Sequence, residues 1–145
     1  MGSIAKMKKN EEEYLQIYVV SFLKKLQAAK DNFTFWHTPN SASRNRLEGG
    51  KFKLLGVLSG VPDLTILYNG GIRFVEFKKK NGSLSTEQKS FIGRAKGHGH
   101  ITDIIYGDTV REYLDQISII ALSLGHDQKV ISSISDKILS GLEKS

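Results

Sequence analysis

Cysteine is absent from the 145 residues, which excludes structural disulfides, thiolate metal sites and cysteine nucleophiles together. No apolar run is long enough to span a bilayer, and the basic N-terminus lacks the apolar stretch of a secretory signal. No membrane partner and an intracellular, cytoplasmic location are therefore expected. Internal repeats and low-complexity tracts are missing too. The glycine pairs at 49–50 and 70–71 are not followed by the Gly-Lys-Ser/Thr of a phosphate loop. Acids are outnumbered, 15 against 21 lysines and arginines, which leaves a net charge of +6. That balance favours a polyanionic partner, nucleic acid being the commonest. The length suits one domain with a hydrophobic core.

The chain divides into periodic segments. Residues 1–10 form a basic tail. From Glu11 to about Lys30, Leu15, Tyr18, Val19, Phe22, Leu23 and Leu26 recur at helical spacing. FTFWH, Phe33 to His37, reads as a strand, with Trp36 assigned to the core. Pro39 to Gly60 is polar, glycine-rich and basic, and reads as a long loop with at most a short ordered piece at FKLLGVL. Leu64–Tyr68 and Ile72–Lys78 flank Asn69-Gly70, a strong hairpin signal. A helix follows from Thr86 to about Lys96, then a buried strand at Ile101–Tyr106, an arrangement that predicts a parallel crossover. Asp108 is placed to cap a helix running towards Leu124. A last amphipathic segment carries Val130, Ile131, Ile134, Ile138, Leu139 and Leu142 on one face.

Charge inside the hairpin is the anomaly. With a two-residue turn at Asn69-Gly70, Tyr68 pairs with Gly71, and counting back pairs Asp63 with Glu76. Opposed residues on antiparallel strands hold their Cβ atoms roughly 4.5–5.5 Å apart. Lys78, two residues beyond Glu76, shares its face. Two carboxylates that close repel unless a positive charge sits between them. Mg²⁺ can fill that place, and so can Lys78 in a cross-strand salt bridge. A further acid comes from the first helix: projected at ~100° per residue, Glu12 falls within about 40° of the centre of its apolar stripe. Gln16 follows one turn later, and Glu13 projects away. Glu12 is equally suited to the first turn, where acids favour the helix dipole.

Gly60-Val61-Pro62-Asp63, then Glu76-Phe77-Lys78, then Gly82-Ser83-Leu84-Ser85 and Gln88 resemble the VRR-NUC domain family of the PD-(D/E)XK nuclease superfamily. The likeness covers residues 11–118 and leaves 119–145 as a C-terminal helical extension. It implies an α/β fold with a restriction endonuclease-like core: a mixed sheet in αβββαβ order plus C-terminal helices. It also implies a Mg²⁺- or Mn²⁺-dependent endonuclease acting on DNA. Carried over, Asp63 and Glu76 ligate the metal, with the backbone carbonyl of Phe77 and Glu12 (Glu13 as fallback) as further ligands. Lys78 orients or deprotonates the attacking water, and Gln88 lies near the scissile phosphate, although Ser85-x-x-Gln88 is also a helix capping box. Asn40, Arg44, Arg46, Lys51, Lys53, Lys79 and Lys80 are the expected DNA contacts. Stand-alone members of the family are often of viral or phage origin and resemble Holliday junction resolvases. That implies branched DNA as substrate, a homodimer, and action in the host cell if phage-encoded. Flap cleavage, nicking, restriction, and an inactive DNA-binding module are the alternatives.

Overall fold

The computed structural model describes residues 7–9, 11–39 and 46–144, the side chains of 46–49 excepted. The elements are α1 (Glu12–Ala29), β1 (Phe33–His37), α2 (Arg46–Leu54), β2 (Leu64–Tyr68), β3 (Gly71–Lys78), α3 (Thr86–Gly97), β4 (Ile101–Tyr106), α4 (Val110–Ser123) and α5 (Gln128–Glu143). The four strands form one mixed sheet in the order β1-β2-β3-β4. This is the expected order with one helix added between β1 and β2.

The chain forms two compact units. One comprises the residues up to Thr34, Phe77–Gly82 and Ile104 onward; the other comprises Phe35–Glu76 and Ser83–Asp103. The first is organised by helix packing. α1 buries Leu15, Val19, Phe22, Leu23 and Leu26, and α4 and α5 both pack against it. α5 contributes Ile131, Ile134 and Ile138 from the face its spacing predicts, whereas Val130 is exposed. The expected boundary between Ser118 and Ile119 falls inside α4. None of the described helices is long and apolar enough to cross a membrane.

The second unit is built on the hairpin. Its register pairs Tyr68 with Gly71 and runs back to Leu64 opposite Val75, so the turn is the two-residue Asn69-Gly70. Gly70 sits at φ +109°, a conformation glycine adopts without steric penalty. At the far end three consecutive residues of each strand are buried, Leu64–Ile66 and Val75–Phe77. Both faces of the hairpin are covered there, so Glu76 is inside.

Four expectations need correction. The segment read as a loop holds a nine-residue helix, α2. Its core contains Gly49-Gly50, which disfavours helix, and among its described side chains Lys51, Lys53 and Leu54 are exposed. Trp36 is 46% exposed rather than core, because β1 is an edge strand that buries only Phe33. β4 is likewise an edge strand and buries only Ile105. The cap of α4 is Thr109, whose hydroxyl accepts from Glu112 N, while Asp108 bonds elsewhere.

Candidate active site

In the hairpin unit the paired register ends at Leu64–Val75, and Asp63 and Glu76 are the next residues along the two chains. Asp63 is fixed through its backbone: its carbonyl accepts from Thr38 N at 2.9 Å and from His37 Nδ1 at 2.8 Å. Both donors lie at or just past the end of β1. No sequence spacing marks His37 for this position, 26 residues away.

Glu76 is 4% exposed, and a carboxylate is expensive to bury without a partner. Gln88 supplies one, donating from Nε2 to Glu76 Oε1 at 2.9 Å. The same side chain completes a capping box: its Oε1 accepts from Ser85 N at 2.8 Å, and Gln88 N donates to Ser85 Oγ at 3.1 Å. The capping box expected from Ser85-x-x-Gln88 is present, and it leaves the Gln88 amide nitrogen bonded to Glu76.

Gly60 governs how α3 meets the loop leading to Asp63, a role not anticipated from its place in the motif. It adopts φ +83°, and a Cβ built there would lie 2.4 Å from the backbone carbon and oxygen of Glu87 and 2.8 Å from Gln88 N. Only glycine lets this loop rest on the first turn of α3.

The other unit holds the remaining candidates. Glu12 opens α1, and its Oε1 accepts from Lys79 N at 3.1 Å; Glu13 is exposed. Lys78 is half-buried, and its backbone carbonyl accepts from Tyr113 Oη at 2.9 Å and from Gly107 N at 3.1 Å. Phe77 lies stacked on Tyr113, ring centroids 5.3 Å apart, which anchors the end of β3. Lys79 pairs through Nζ with Asp108 at 3.2 Å, and Lys80 N donates to the same carboxylate at 3.3 Å. These contacts, the Lys80 amide first, hold Asp108 below the usual carboxylate range. Lys51, Lys53 and Lys80 are exposed; Asn40 and Arg44, and the side chain of Arg46, lie outside the described residues.

Among the described residues no three His, Cys, Asp or Glu side chains gather closely enough to cage an ion. The carboxylates of Asp63 and Glu76 are nonetheless donors of the kind Mg²⁺ accepts, since it keeps several waters and leaves room for substrate phosphate oxygens. Their chemistry fits such an ion.

Residues 8–109 match the VRR-NUC domain family. No curated protein matches the chain. A solved structure, a "VRR_NUC domain protein", is similar over 82% of this chain and 91% of that one, with a TM-score of 0.55 and 21% identity; the likeness is one of fold.

Proposed function

The chain belongs to the VRR-NUC family, whose function is of nuclease type, and on that premise we propose that it is a metal-dependent endonuclease hydrolysing phosphodiester bonds in DNA, branched DNA above all. The observation that carries this reading is the buried Glu76 carboxylate, held by the Gln88 amide on the strand paired with the one that follows Asp63.

Asp63 and Glu76 are the residues that would hold Mg²⁺ or Mn²⁺. The ion when bound neutralises charge on the phosphate and lowers the pKa of water. The chain's own groups do the rest. Lys78 takes or orients a proton of the attacking water and offsets the negative charge that builds on the phosphoryl oxygens. Gln88 keeps the Glu76 carboxylate in one orientation. Lys51, Lys53, Lys79 and Lys80 grip flanking phosphates without reading sequence. The Lys79–Asp108 pair does not prevent this, since an exposed ion pair is worth little and exchanges readily. Symmetric cutting of a four-way junction needs two sites and hence a homodimer. A DNA substrate makes the site of action intracellular.

The test is cleavage of a labelled four-way junction and a matched linear duplex with Mg²⁺ or Mn²⁺, by the wild type and Asp63→Ala. Metal-dependent cutting of the junction alone, abolished in the variant, supports the whole reading. Cutting of both substrates keeps the nuclease and removes the junction preference. Binding without cleavage in either protein makes the chain a DNA-binding module.

A further inference from the structure

The largest exposed apolar stretch among the described residues lies beside the candidate site. Leu54, Leu55, Val57 and Leu58 are 91, 69, 44 and 58% exposed, within five residues of chain. Solvated side chains of this size in such density mark a binding surface. Val57 and Leu58, with Phe91 of α3, line a groove of about 530 Å³ to which Lys53 and Arg94 add positive charge. Ser59 and Glu87 also line it; their chain neighbours Gly60 and Gln88 are the residues that bring the Asp63 loop onto α3. The groove therefore begins one residue from the site.

We propose that this groove takes an unpaired nucleobase of the DNA, flanking the phosphate to be cut. The proposal rests on the nuclease reading and specifies its substrate as DNA with at least one unstacked nucleotide. Three features select that occupant. The apolar lining and Phe91 offer surfaces on which a base packs or stacks. Lys53 and Arg94 match the phosphates on either side of it. Glu87 repels a phosphate from the groove and accepts from a base amino group.

The experiment measures affinity, with EDTA present so that cleavage plays no part, for a blunt duplex and for the same duplex with a one-nucleotide flap. Wild type is expected to prefer the flap. Leu58→Ser, at an exposed position, and Phe91→Ala, checked by thermal melting, should each weaken flap binding roughly tenfold, the loss of about one base stack. Duplex affinity should stay within about twofold. Lys53→Ala should weaken both substrates alike. Equal affinities in wild type, or equal losses on both substrates in Leu58→Ser, would overturn the proposal. So would a concentration-dependent dimer that Leu58→Ser dissociates while the flap preference is unchanged. Flap preference without cleavage in Mg²⁺ leaves the groove intact and removes the nuclease; cleavage without flap preference does the reverse.

Discussion

The corner at Asp108 and the inner end of the hairpin at Glu76 each hold a carboxylate, on opposite terms. Asp108 is solvated, faces the Lys79 ammonium and accepts from the Lys80 amide. Such an arrangement contributes little and tolerates loss. Glu76 is buried and takes a hydrogen bond from the neutral Gln88 amide. A carboxylate is costly to bury and depends on such partners. A buried carboxylate beside a cluster of candidate residues points to chemistry.

The comparison can be broken by exchanging each carboxylate for its amide. Glu76→Gln should lower cleavage by a factor on the order of 10³, whereas Asp108→Asn should change it by less than about twofold; single-turnover rates on one labelled substrate check both. Equal effects would erase the distinction.

A finer cut addresses what holds Glu76. Gly60→Ala forces a Cβ into the α3 backbone and should destabilise the fold by about 1–3 kcal/mol, read as a lower urea midpoint. Gln88→Ala loses both its bond to Glu76 and half of the capping box. It should cost about 1 kcal/mol of stability and roughly 10–100-fold in rate, the range expected for a group that orients a ligand. Rescue of the rate by Gln88→Asn is not expected, because the shorter side chain cannot serve Ser85 and Glu76 together.

The hairpin was legible because its signals are local. Asn69-Gly70 sets the turn, and the turn sets the register from Tyr68–Gly71 back to Leu64–Val75. The start of α1 at Glu12 and its buried stripe were legible from helical periodicity. α2 was not, because Gly49-Gly50 disfavours helix and the described side chains Lys51, Lys53 and Leu54 face solvent. Edge positions were misjudged for a related reason: the apolar residues of β1 and β4 are typical of strands, and composition does not say which strands lie outermost. The contacts of His37 with Asp63 and of Gly60 with α3 join distant segments, and no spacing rule finds them.

The smallest effect concerns pH and the helical unit. His126 is buried, its Nε2 bonded to Asn32 Oδ1 at 2.8 Å. Burial first, and the Lys30 charge second, hold its pKa below the ordinary 6.5. The unfolded chain therefore binds a proton at a pH where the folded one does not. Stability is complete above about 6.5 and declines as pH falls from there to the folded value. Urea melts between pH 7.5 and 5 should show this decline, and His126→Gln should flatten it. Asp108, also shifted down, acts lower: its contribution is present above the ordinary 3.8 and is lost as pH falls through the folded value.

Mn²⁺ binding followed by electron paramagnetic resonance, without DNA, tests the central claim most directly. The account predicts that wild type and Asp108→Asn bind the ion alike, and that Asp63→Asn and Glu76→Gln each lose it. Equal binding by all four proteins would contradict a metal site at the hairpin.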